Sequence, residues 1–290
     1  MNETIATGLR QPGGPVGLPD GRVALVEMGD SRRCLSVIAA NGTRHEVCRP
    51  GGLPSGLAVD GNNCFWVAGG PENSLVRLSP EGRTLQVIEG GSDGPFLYPN
   101  DLAFGPDGLL YMTDSGVRAS DLHEGSDINP DFFRAPYNGR VYQIDPGEGR
   151  VLRVLATGLL HASGIAFGSD GRLYYSETLT GKIHRQVVGA RQELFAQVIP
   201  TPAVTALRGP AGMAFDRDGV LYCALYGLGE VCLIDPAGKI TGRIRTNGMR
   251  PGNIAFTPDG KYVLISEQEN GALERIVAPR PGLPLHMPSI

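Results

Sequence analysis

Short apolar runs interrupted by an Asp-Gly pair recur along the chain. Residues 98–114 read YPNDLAFGPDGLLYMTD, and the cadence returns as LPSGLAVDGNNCFWVAG, HASGIAFGSDGRLYYSE, GPAGMAFDRDGVLYCAL and RPGNIAFTPDGKYVLISE, with a looser first copy, PGGPVGLPDGRVALVEM. Two apolar runs flanking Asp-Gly are the strongest short hairpin signal and predict a type I′ turn with positive φ at both central residues. Asp20, Asp60, Asp107, Asp170, Asp218 and Asp259 are spaced by 40, 47, 63, 48 and 41 positions, a period that marks an array of blades. Each unit runs on into two more strands, as in SLVRLSPEGRTLQVI and GEVCLIDPAGKITGRI. The expectation is an all-β fold, a six-bladed β-propeller with four-stranded antiparallel blades. The last unit stops after its third strand, ALERIVA, while ATGL, which ends the third unit at residues 156–159, recurs at residues 6–9. TIATGL is therefore expected to complete the last blade, making residues 1–290 one domain, with the proline-rich end as a surface strap.

Composition narrows the class. With 42 Gly and 23 Pro in 290 residues and only 19% charged residues, the chain is turn-rich and long enough for one large all-β domain. No apolar stretch approaches a membrane span, and MNETIATGLRQP lacks the basic and apolar regions of a secretory signal. A net charge of −4 without a basic run gives no reason to expect nucleic acid. Five Cys without a CxxC pair fit buried, reduced thiols. The expectation is a cytoplasmic protein with a small-molecule substrate and neither a nucleic-acid nor a membrane partner; oligomeric state is left open.

In a propeller, the openings of the innermost strands and the exits of the second strands meet around one axial mouth. Asn100 and Asp101 stand at the third opening, Ser163 and Asn253 at the fourth and sixth. Asp114, Glu27, Glu177 and Glu267 stand at exits, with Tyr226 beside the fifth. Carboxylates crowded at a mouth repel unless a cation, a donor or raised pKa values intervene; alternatively each caps amides in its own loop. Residues 115–139 form an insertion about 20 residues longer than its counterparts, a candidate lid whose Phe132, Phe133 and Tyr137 would supply an apolar wall. His161, just before the fourth opening, is a candidate base, and His123 in the insertion is placed to swing over the mouth. No HExxH or Walker motif occurs.

The phrases PNDLAFGPDGLLYMTDSG, GRVYQID, GIAFGSDGRLYYSET and GMAFDRDGVLYCAL resemble, in order, the SMP-30/gluconolactonase/luciferin-regenerating-enzyme family. The resemblance implies a six-bladed propeller, commonly a lactonase with one calcium or other divalent ion on the axis. The family's Glu-Gly-Pro reads Gly13-Gly14-Pro15 here, its Asn-Asp is intact as Asn100-Asp101, and its next Asn and Asp are replaced by Ser163 and Ala211. Three of four ligand positions have changed, leaving Asn100, so no cofactor is expected, although a site rebuilt from Asn100, Asp101 and exit carboxylates stays open. The resemblance thus points to a hydrolase opening a lactone or similar cyclic ester by acid/base catalysis, with Asp101, His161 and Glu177 as catalytic candidates. Substrate-binding candidates are Glu27, Asn100, Asp114, Ser163, Tyr226, Asn253, Glu267, Phe132 and Phe133. A metal-independent lyase, isomerase or condensing enzyme and a non-catalytic binding propeller are the alternatives.

Overall fold

A computed structural model describes residues 2–124, 127–200 and 206–290. Six sheets of four antiparallel strands, five of them paired in sequence order, form the blades of a propeller. The innermost strands are Pro12–Gly17, Gly56–Val59, Pro99–Phe104, Ala162–Phe167, Gly209–Phe215 and Pro251–Phe256. The sixth blade takes its outer strand from the other end of the chain: Glu3–Ala6 pairs with Ala272–Val277, Glu3 opposite Arg275 and Thr4 opposite Glu274. Among the described residues, no helix is long and apolar enough to cross a membrane. All five cysteines are free; Cys34, Cys64, Cys223 and Cys232 are buried and Cys48 is half-buried.

The repeated apolar letters are the contacts between blades. In blades two to five the Tyr or Trp of the second strand meets the Phe that ends the next inner strand edge to face: Trp66 with Phe104, Tyr111 with Phe167, Tyr174 with Phe215 and Tyr222 with Phe256, at 4.8–6.2 Å between centroids. Such pairs contribute ~0.5–1.5 kcal/mol beyond the area they bury. Hydroxyls stitch the same seam on the axial side, where Ser115 Oγ donates to Ala162 O at 2.9 Å and Thr178 Oγ1 to Pro210 O at 2.8 Å.

The hairpin turns are not type I′. Gly21, Gly108, Gly171, Gly219 and Gly260 have φ of 70–85°, but the Asp before each does not share that region. Gly108 N donates to Gly105 O at 3.0 Å, so a type I turn closes first and glycine follows it in the left-handed conformation. Asp107 instead accepts from Leu109 N at 3.2 Å through Oδ1, a local bond that suits Asp to this place. In the second blade the left-handed residue is Asn63, at φ 59°, so Asp60-Gly61 sits earlier in its turn.

Register slips occur near the axial end of five inner strands, between Gly13 and Val16, Pro99 and Leu102, Ala162 and Ile165, Pro210 and Met213, and Pro251 and Asn253. Such bulges re-aim side chains, and here they fall on the positions that ring the axis. Backbones approach closely there: a Cβ on Gly164 would lie 2.0 Å from Ala211 O. On the opposite face, beside the Asp-Gly turns, the tail crosses the ring, with Leu283 N bonded to Phe215 O at 2.9 Å and Pro288 O to Gly61 N at 2.8 Å.

Candidate functional site

At the mouth lies a cavity of about 90 Å³, lined by Gly13, Ser55, Tyr98, Asn100, His161, Ser163, Thr178, Ala211, Tyr226 and Asn253, with Leu122, His123 and Ile128 of the insertion over it. The four positions that resemble the family's ligand set, Gly13, Asn100, Ser163 and Ala211, thus meet in one place. None of the lining residues is a carboxylate, Lys or Arg. Ser163 Oγ donates to Asn100 Oδ1 at 3.2 Å, and Asn100 Nδ2 donates to Ser115 Oγ at 2.9 Å. The amide is therefore held across two blades.

His161 is 6% exposed and sits at φ 66°, a conformation costly for a residue with a Cβ and one that clusters at functional sites. Its strand neighbours hold it there. Thr178 N donates to His161 O at 3.0 Å, and Glu177 Oε1 accepts from Leu160 N at 2.9 Å. Nδ1 of His161 is buried and, among the described residues, has no hydrogen-bond partner. Burial pushes the imidazole down to about 4, so the ring is neutral at pH 7 and keeps one acceptor nitrogen. His123 Nε2 lies 3.1 Å from Tyr98 Oη, tying the insertion to the mouth. Burial also lowers the His123 pKa and raises that of Tyr98.

The exit carboxylates do not line this cavity, which corrects the expected placement of Glu27, Asp114, Glu177 and Glu267. Each turns into its own blade and accepts from the amide seventeen residues upstream: Arg10 to Glu27 at 2.8 Å, Leu97 to Asp114 at 2.8 Å, Leu160 to Glu177 at 2.9 Å and Arg250 to Glu267 at 2.9 Å. Alternation along a strand is the reason. Thr113 and Ser176, one residue earlier, bond across to Ser163 O and Ala211 O in the next blade, so their successors face the other way. Glu27 is further held by Ser36 Oγ at 2.8 Å and by Arg44. Glu177 meets His184 Nε2 at 2.8 Å. Burial alone would raise the Glu177 carboxyl, but the His184 bond and the Leu160 amide outweigh it and hold it below its ordinary value.

Asp101 also departs from expectation. The bulge aims Asn100 into the mouth and Asp101 into a second chamber farther down the axis. There Asp101 Oδ1 accepts from Asn253 Nδ2 at 3.0 Å and Oδ2 from Ile165 N at 3.3 Å. Burial pushes its carboxyl up to about 6 against those bonds. Of the aromatic wall expected of the insertion, Tyr137 lies beside His161 with ring centroids 6.0 Å apart, but the two phenylalanines are elsewhere. Phe132 is buried beneath the insertion with Tyr98, Val117, Leu122 and Leu179, and Phe133 is exposed under the Arg134 guanidinium. Gly125 and Ser126 of the expected lid lie outside the described residues. Tyr98, Thr178 and Gln268 were not singled out by the sequence; the one available signal was the aromatic immediately before Pro99-Asn100.

The SMP-30/Gluconolactonase/LRE-like region matches residues 90–267, more than half of the chain. The chain belongs to this family. Within the SMP-30/gluconolactonase/LRE-like family, a gluconolactonase of Zymomonas mobilis is 28% identical over 232 residues, 74% of this chain and 61% of that protein. A diisopropyl-fluorophosphatase of Loligo vulgaris is 26% identical over 253 residues, covering 82% and 78%. The chain spans about half the length of the staphylococcal lactonases it also matches. A luciferin-regenerating enzyme superposes with a TM-score of 0.79 at 14% identity, covering 100% of this chain and 99% of that one, a likeness of fold. The curated relatives are hydrolases by name.

Proposed function

We propose that the chain is a hydrolase that opens a small lactone or related cyclic ester in the mouth cavity, with His161 activating the attacking water. The support is one convergence: His161, a buried imidazole whose Nδ1 has no hydrogen-bond partner among the described residues, lines the family's axial cavity beside Asn100, Ser163, Asn253 and Tyr98. Neutral His161 takes a proton from water, the hydroxide oxygen bonds to the acyl carbon, and the ring C–O bond breaks. The proton then passes to the departing alkoxide. Amide and hydroxyl donors around the cavity suit the oxygen on which negative charge develops.

The residues present do not fit the family's calcium. Ca²⁺ takes about six to eight oxygens, carboxylates among them. Here the cavity offers neutral amide and hydroxyl oxygens, and Asn100 Oδ1 already accepts from Ser163. We therefore propose that no step runs through that ion. Glu177 belongs to this reading as a positioning residue, because it holds the Leu160 amide next to His161. The test is proton release from a panel of γ- and δ-lactones by wild type and His161→Gln, with and without chelator. A fall in kcat of about 10²–10⁴-fold in the variant is expected, with wild-type turnover unchanged by chelation. Turnover that survives His161→Gln, or that chelation abolishes, overturns the reading; ligand binding without turnover of any lactone would make the propeller a binding module.

A further inference from the structure

Below the mouth, a separate chamber of about 110 Å³ occupies the axis. Inner strands of all six blades line it, and Leu283, Pro284, Leu285 and His286 of the tail close it on the far face. The tail is tied down on both sides of that floor. Leu283 N bonds to Phe215 O in the fifth blade, while Pro288 O and Ile290 O accept from Gly61 N at 2.8 Å and Arg77 Nη2 at 2.9 Å in the second. The same phenylalanines that pack between blades, Phe104, Phe167, Phe215 and Phe256, turn part of their surface to this space. Asp101 and His286 are the only ionisable residues among its lining.

Asp101 is unusual in this setting. It is 5% exposed, and its carboxylate has about four lone-pair sites met, among the described residues, by three neutral donors, the Asn253 amide and the Ile165 and Leu102 N–H groups. Among the described residues it forms no ion pair. Buried carboxylates are ordinarily paired or fully hydrogen-bonded, so the site has unused acceptor capacity facing an apolar room. A cavity of roughly 150 Å³ walled by Leu, Ile and Phe takes up benzene, and this chamber is of that order. An ammonium ligand would have to be desolvated together with the carboxylate, at a cost that attraction often fails to repay. A neutral hydroxyl forms a short charge-assisted bond to a carboxylate without that second desolvation.

We propose that the axial chamber is a second ligand site, distinct from the mouth, for a small neutral apolar molecule with one hydroxyl, a phenol or compact alcohol, donating to Asp101. The ligand enters by displacement of residues 284–287, which bridge the two anchored ends of the floor. Calorimetry and thermal shift with p-cresol, and with toluene as the partner lacking a hydroxyl, test this on the full chain. Saturable p-cresol binding at least about tenfold tighter than toluene is expected, preserved in His161→Gln and lost in Ala214→Leu, which fills the chamber. Ala58→Val, from the opposite wall, repeats the filling test if Ala214→Leu does not fold. Asp101→Asn should narrow the preference for p-cresol to about threefold or less. Absence of binding, equal affinity for the two probes, or loss of binding in His161→Gln overturns the proposal; the last would place the probe in the mouth.

Discussion

His161 and Asp101 are buried ionisable groups with opposite consequences for stability. The Asp101 carboxyl stands at about 6 when folded against 3.8 ordinarily. Between those values the folded state binds the extra proton, so its contribution to stability falls as pH rises. His161 stands at about 4 against 6.5; between those values the unfolded state binds the extra proton, so stability rises with pH. The two windows overlap from about pH 4 to 6, and the contributions oppose each other in the wild type. Removing one exposes the other: relative to wild type, His161→Gln should lose stability with rising pH through this window and Asp101→Asn should gain it, by up to about 1.4 kcal/mol per pH unit. Urea denaturation at pH 4, 5, 6 and 7 measures the slopes, and three parallel curves would contradict the burial of either group. Asn100-Asp101 was legible in the sequence as the anomaly of the third repeat. That its members part into two chambers was not, because a one-residue bulge reverses which way a side chain points.

At the scale of elements, the carboxylate that ends a second strand is a latch on the loop that enters the same blade. Asp114 accepts from three amides, Leu97 N at 2.8 Å, Tyr98 N at 3.0 Å and Gly116 N at 2.7 Å. Burial raises its pKa, and those three amides oppose the rise. Tyr98 in turn meets His123 of the insertion, so the latch also ties the insertion to the mouth. Asp114→Ala strips acceptors from buried amides and should cost roughly 2–4 kcal/mol in chemical denaturation, with a raised KM for any lactone turned over. A loss below about 0.5 kcal/mol would mean that water replaces the carboxylate there. Read from the sequence, mouth and cap stood on equal footing for these residues. Only the partners of Thr113 and Ser176 across the seam decided that the next residue faces inward to its own blade.

At the scale of the molecule, ring closure depends on four residues from one end of the chain. Glu3–Ala6 supplies the sixth blade's outer strand, and Glu3 receives a two-pronged bond from Arg275, at 2.8 and 2.9 Å. The pair is partly solvated and contributes modestly; the ladder and the buried Ala6 and Leu9 contribute more. Deleting residues 2–7 leaves an unpaired sheet edge and should lower Tm by roughly 3 °C or more, as a loss of ~2 kcal/mol requires for a chain of this size. Calorimetry showing an unchanged Tm would mean that the ring does not need its latch. The tail makes a second crossing on the far face, and it, not the Asp-Gly turns, floors the lower chamber.

Local pattern alone determined blade number, strand order and closure, because hairpins, alternation and repeat period are set by neighbours in the chain. The same pattern marked where the axial positions lie, down to Gly13, Asn100, Ser163 and Ala211. Tertiary structure decided which side chains face the cavity, since that depends on bulges and on bonds between blades that are distant in sequence. It moved the exit carboxylates out of the mouth, bonded His123 to Tyr98 beside it, and placed Asp101 in an apolar room where desolvation, a property of the whole ring, sets its proton affinity.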